Sequence, residues 1–165
     1  MIRRSIALTI AMICLALTTA VTPASANSLA AADILYSRAS DKYVTAAFNL
    51  ADDPLQARSD RVGTWEQFRF VSLNSATNEW AIYSMVNGMY VSVNLTKSNA
   101  PLEVRANKVG PWEKFSFWHD SDGSWFIQSI ANDRYVSANL TKSNAPLEAR
   151  ATLVGAWEKF DLLEY

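Results

Sequence analysis

YVSVNLTKSNAPLEVRANKVGPWEKF, Tyr90 to Phe115, and YVSANLTKSNAPLEARATLVGAWEKF, Tyr135 to Phe160, are one 26-residue block written twice, agreeing at 21 positions. A third block, YVTAAFNLADDPLQARSDRVGTWEQF from Tyr43 to Phe68, agrees with the last at 12 of 26, so the chain is a threefold internal repeat. Pro54, Pro101 and Pro146 each follow the block's Tyr by eleven residues, and Trp65, Trp112 and Trp157 follow those prolines by eleven more. Only the connections between blocks change length.

Inside a block the hydrophobic period is two, which predicts half-buried strands. Leu102, Val104 and Ala106 alternate with Glu103 and Arg105, and Phe115 and Phe117 with Ser116 and Trp118. Ahead of each Tyr-Val lies another alternating run, broken by turn formers such as Asn87-Gly88 and Asn132-Asp133. Four strands per block predict twelve in all, with the Pro-Leu strand and the Trp-Glu-x-Phe strand as the third and fourth of each. A propeller needs about four to eight blades to close. Three units closing on themselves predict an all-β trefoil with repeats at about 33–75, 78–122 and 123–165.

The Tyr-Val-Ser/Thr, Pro-Leu-x-Ala-Arg and Gly-x-Trp-Glu-x-Phe signatures resemble those of the fascin-like, or actin-cross-linking-like, β-trefoil domains, over Ile34 to Tyr165. The resemblance implies a six-stranded barrel capped by three hairpins. Trefoils serve many activities, so function has to come from sites.

The first residues read as a leader. Arg3 and Arg4 precede the apolar run Ile6 to Ala20, and Ala24-Ser25-Ala26 has the small-x-small form of a cleavage site. Residues 1–26 are therefore expected to be a signal peptide and 27–165 a single secreted, extracellular domain. A bilayer-spanning helix needs about 20 apolar residues, more than this run offers. The only cysteine is Cys14, so the expected mature chain has no disulfide. Without Arg3 and Arg4, 13 basic residues face 16 acidic ones, which gives no field for nucleic acid or, after leader removal, for an anionic membrane.

The recurring Tyr, Trp and Phe sets are expected to fill equivalent places around the barrel axis, with sugar stacking as the other reading of the Trp set. Arg58, Arg105 and Arg150 each precede the Glu of Trp-Glu (Glu66, Glu113, Glu158) by eight residues. If the third and fourth strands form a hairpin, these would pair across it. The alternative makes Arg and Glu a fork for sugar hydroxyls. NLTKSNA is polar, lies between two strands and is kept in two blocks; a trefoil has no evident structural need for those letters. It is either a recent duplication or a pair of pockets, with Asn amides and Lys ammonium groups able to bond saccharide hydroxyls.

The candidate ligand-binding residues are therefore Asn94, Lys97, Asn99, Glu103 and Arg105, their equivalents Asn139, Lys142, Asn144, Glu148 and Arg150, and Trp118, whose ring faces away from the core side of its strand. Tyr36 and Tyr83 are further outward-facing rings. Asn94-Leu95-Thr96 and Asn139-Leu140-Thr141 match the glycosylation sequon. His119 is the only histidine, and the expected mature chain has no cysteine, which removes Cys-His chemistry and multi-histidine metal sites. Asp120 and Asp122 are the remaining carboxylate pair to weigh. The expectation is a non-enzymatic, cofactor-free, monomeric module binding a glycan or polysaccharide. The alternative is a protein-binding trefoil, either an actin-type cross-linker or a protease inhibitor presenting the unmatched loop Asn74 to Glu79.

Overall fold

The computed structural model describes residues 31–165. The expected leader, residues 1–26, and the expected first mature residue Asn27 lie outside them. Twelve strands follow in chain order: β1 Asp33–Ser37, β2 Lys42–Ala46, β3 Leu55–Ser59, β4 Phe68–Asn74, β5 Glu79–Ser84, β6 Met89–Val93, β7 Leu102–Ala106, β8 Phe115–His119, β9 Trp125–Ser129, β10 Arg134–Ala138, β11 Leu147–Ala151 and β12 Phe160–Glu164. Short 3₁₀ turns at Thr64–Glu66, Pro111–Glu113 and Ala156–Glu158 precede β4, β8 and β12.

Six strands close a ring. β1 pairs with β12 and β4, β4 with β5, β5 with β8, β8 with β9, and β9 with β12, all antiparallel. A closed ring leaves no sheet edge within the barrel. The other six strands form the hairpins β2–β3, β6–β7 and β10–β11, each with a register shift directly after its Tyr. The hairpins lean on one another in rotation through the bridges Pro54↔Glu103, Pro101↔Glu148 and Gln56↔Pro146. Backbone bonds from Val104 N to Asp53 O at 3.0 Å, Ala149 N to Ala100 O at 2.9 Å and Ala57 N to Ala145 O at 3.0 Å seal the same contacts. This is a β-trefoil with pseudo-threefold symmetry.

The core repeats in threes: Phe68, Phe115 and Phe160 are at most 1% exposed, and Leu55, Leu102 and Leu147 with Val44, Val91 and Val136 fill matching layers. The Tyr and Trp sets do not join them, contrary to expectation. Val44, Val91 and Val136 point inward, so strand alternation turns the preceding Tyr outward. Tyr43, Tyr90 and Tyr135 are half-buried and meet Tyr36, Tyr83 and Phe126 edge-on at 5.1, 5.1 and 5.6 Å. Each Trp sits in a 3₁₀ turn before its strand begins, and Trp65 is 36% exposed.

The expected third-to-fourth-strand hairpin is also corrected. β3 pairs with β2, and the 3₁₀ turn carries the chain to β4 on the barrel. Arg58, Arg105 and Arg150 consequently do not face Glu66, Glu113 and Glu158. Those carboxylates turn inward and accept the N–H of Gly63, Gly110 and Gly155 at 2.7 Å each. The glycine eases the close approach, since a Cβ on Gly110 would lie 3.0 Å from Glu113 Oε2 and the carboxylate would have to give way by a few tenths of an ångström.

Candidate functional site

The repeated NLTKSNA loop joins β6 to β7 and β10 to β11. Asn94 is 2% exposed; its Oδ1 accepts from Thr96 N at 3.2 Å and Thr96 Oγ1 at 2.6 Å, and its Nδ2 donates to Glu103 Oε2 at 2.9 Å. Lys97 Nζ donates to Glu103 Oε1 at 2.8 Å and to Asp52 Oδ2, from the neighbouring repeat, at 2.6 Å. These two carboxylates, Asp52 foremost, hold the Lys97 ammonium above the usual lysine range. Asn99 takes a left-handed conformation, φ 65°, which asparagine tolerates better than most residues. Ala100 is buried where the next repeat's hairpin docks.

The third repeat repeats the construction. Asn139 Nδ2 donates to Glu148 Oε2 at 2.8 Å, Thr141 Oγ1 to Asn139 Oδ1 at 2.6 Å, and Lys142 Nζ to Glu148 Oε1 at 2.6 Å, with Asn144 at φ 64°. The letters thus have structural work in both copies, which the sequence alone did not suggest. Asn94 and Asn139 are buried with their amide nitrogens engaged, so neither sequon is open to a glycan.

Each buried carboxylate also organises the arginine two residues on. Arg105 Nη1 lies 3.2 Å from Glu103 Oε2 and its guanidinium sits 5.7 Å from the centre of the Trp112 ring. Arg150 Nε lies 3.5 Å from Glu148 Oε2 and its guanidinium 5.8 Å from the Trp157 ring centre. Glu103 and Glu148 are each 2% exposed, whereas the Arg105 and Lys97 side chains are 40% and 42% exposed. Asn94, Glu103, Asn139 and Glu148 are therefore internal anchors, and the lysine and arginine of each repeat with the adjoining tryptophan form the accessible surface.

A shallow groove opens beside this shelf. In the third repeat it is about 460 Å³, walled by Ser137, Arg150, Thr152, Trp157 and Glu158, with Asn99 contributed by the second repeat. In the first repeat the equivalent groove is about 520 Å³, walled by Thr45, Arg58, Arg61, Trp65 and Glu66. Asp52 was not among the sequence candidates, and the recurring Trp set entered only through its alternative sugar-stacking reading; the signal that takes it out of the core was Gly-x-Trp-Glu, a Gly three residues before a Glu, which is capping spacing.

The remaining candidates lie elsewhere. Trp118 is 46% exposed on β8, opposite Phe126 of β9. The Tyr36 hydroxyl donates to Asp41, which pushes its pKa up to about 12. His119 stacks edge-on to Trp125 at 5.0 Å. Lys159 bonds Asp120 at 2.9 Å and Asp122 at 2.5 Å, holding both carboxyls below their usual range. Both stay ionised at neutral pH, so neither is set up to donate a proton. The loop between Asn74 and Glu79 is tied down by Asn78, whose Nδ2 donates to Phe117 O at 2.7 Å. Among the described residues no group of three or more His, Cys, Asp or Glu is gathered to hold a metal ion.

No family model matches the chain, and no curated protein is similar to it. Solved structures are. The designed threefold-symmetric protein ThreeFoil superposes with a TM-score of 0.71 at 15% identity, over 81% of this chain and 98% of that one. An exo-β-1,3-galactanase from Clostridium thermocellum gives 0.69 at 14%, over 82% of this chain and 30% of that one. A Polyporus squamosus lectin bound to Neu5Aca2-6Galb1-4GlcNAc gives 0.67 at 11%, over 81% of this chain and 49% of that one. At such identities the likeness is one of fold, and the fold these structures share with the chain is the β-trefoil.

Proposed function

We propose that the protein is an exported, lectin-like carbohydrate-binding module, with the arginine-tryptophan shelves of its second and third repeats as paired glycan sites. The observation that carries the reading is the duplicated shelf, in which a buried Glu holds an Arg beside a Trp: Glu103 with Arg105 and Trp112, and Glu148 with Arg150 and Trp157. An indole offers its face to the apolar side of a pyranose, and the N–H groups of Arg and Lys beyond those Glu accepts are donors for hydroxyls. The Polyporus squamosus lectin, which shares this fold over 49% of its chain, is a glycan-bound protein, and that supports the reading at fold level. Asn94, Glu103, Asn139 and Glu148 serve as supports, and Lys97, Lys142, Asn99, Asn144, Arg105 and Arg150 as contacts.

Within the trefoils, the Tyr-Val, Pro-Leu-x-Ala-Arg and Gly-x-Trp-Glu-x-Phe signatures align the chain with the fascin-like domains. Export rests on Arg3-Arg4, the apolar run and Ala24-Ser25-Ala26. The module acts without catalysis and as a monomer, gaining strength when two sites engage one polymer. Affinity electrophoresis of residues 27–165 through gels carrying neutral polysaccharides, beside a protease-inhibition panel, tests the reading. Retention competed by the same soluble glycan is expected. Retention by none, with inhibition of a protease, would overturn it.

A further inference from the structure

The first repeat departs from the other two at three linked positions. Ala47 stands where they have Asn94 and Asn139, Leu50 where they have Lys97 and Lys142, and Gln56 where they have Glu103 and Glu148. The buried carboxylate and its two partners have gone together. Gln56 is 7% exposed, and its Oε1 has no hydrogen-bond partner.

The loss changes what surrounds the arginine. Arg105 and Arg150 each lie between a carboxylate and an indole, but Arg58 has neither: its Nη2 donates to the neutral amide oxygen of Asn49 at 2.8 Å. Among the described residues the cation-indole contacts are those of Arg105 and Arg150, and neither Arg58 nor Arg61 joins an ion pair. The anionic groups on the same groove are already engaged. Asp60 pairs with Lys42, and buried Glu66 receives the Gly63 N–H at 2.7 Å. Trp65, steadied edge-on by Phe48 at 5.9 Å, is 36% exposed and lines the groove.

From this we infer that the first-repeat groove is a separate site for an anionic saccharide, whose carboxylate or sulfate ester is held by Arg58 and Arg61 while its ring lies on Trp65. A guanidinium matches the oxygens of either group with paired N–H donors, and one without an internal carboxylate has its charge to offer. The indole favours a sugar over a bare anion. The inference rests on the carbohydrate-binding reading and assigns the first-repeat groove a different ligand class from the paired sites.

The test is affinity electrophoresis of residues 27–165 through polygalacturonate for the carboxylate, dextran sulfate for the sulfate, and whichever neutral polysaccharide retains the parent. Retention on at least one anionic gel is expected, weakening as NaCl rises from about 0.05 to 0.5 M as charge pairing is screened. Arg58→Gln and Arg61→Gln are each expected to weaken anionic retention at least about tenfold and leave neutral retention unchanged, the gain of one charged bidentate contact. Gln56→Glu, which restores the carboxylate of the other repeats, is expected to do the same. Thermal melts confirm folding, and the two exposed arginine variants decide the matter if Gln56→Glu unfolds. The inference falls if neither anionic gel retains the parent, or if Arg58→Gln and Arg61→Gln are retained like the parent. Failure of the paired-site reading has a different sign: the double variant Arg105→Met, Arg150→Met would keep its neutral retention.

Discussion

Asn94 Nδ2 donates to Glu103 Oε2 across 2.9 Å, and both residues are only 2% exposed, so a loop amide is the innermost partner of a buried carboxylate. A carboxylate so deep is tolerable only while its oxygens stay bonded. Lys97 and Arg105 complete the set from the solvent side.

Asn94→Ala should therefore destabilise by about 1–3 kcal/mol, the cost of leaving a buried polar group unsatisfied. The triple variant Asn94→Ala, Lys97→Leu, Glu103→Gln, which installs the first repeat's own residues, should cost less than the single change. Members of one buried network are not additive, and removing the charge with its partners avoids stranding it. Urea denaturation of the three proteins makes the comparison; a triple variant less stable than Asn94→Ala would contradict it.

Glu113→Ala should cost about 1–3 kcal/mol as well, because it frees a part-buried backbone N–H at Gly110. A cost within the ordinary surface range of about 0.5 kcal/mol would mean that the 3₁₀ turn does not depend on this bond.

Stability should fall in acid. Lys159 depresses the carboxyls of Asp120 and Asp122, and Lys114 that of Glu79, below their ordinary values of 3.8 and 4.5. Such groups contribute stability above the unfolded value that is lost as pH drops through the folded one. Asp33, raised by burial, works the other way: its contribution is present below 3.8 and is lost as pH rises through its folded value. Melting temperatures followed below about pH 4 should thus decline less steeply in Lys159→Met than in the parent. Equal slopes would show that the Lys159 cluster does not carry the acid response.

For binding, Arg105→Met and Arg150→Met each keep an apolar stem and remove the donors. Either alone should weaken retention on a neutral polysaccharide moderately. The pair should lose far more, since simultaneous engagement can add about 10²–10⁴ in avidity. A double variant no weaker than the two singles would mean that the two sites do not act together.

The threefold repeat, the twelve strands and closure as a trefoil were legible in the chain itself. Period-two patterns are local, Phe68, Phe115 and Phe160 recur in register, and three blocks are too few for any architecture but one that closes on three. The partners of the repeated polar residues were not legible. Arg105 turns to Glu103 and not to Glu113 because β7 pairs with β6 and a 3₁₀ turn removes Glu113 to the N–H of Gly110. Trp112 lies under that arginine, outside the core, because its strand begins only at Phe115. Lys97 meets Asp52 and Pro101 meets Glu148 because neighbouring hairpins lean on each other across the threefold axis. Spacing along one block carries no information about contacts between blocks, and a buried charge takes whichever donors the closed fold brings within reach.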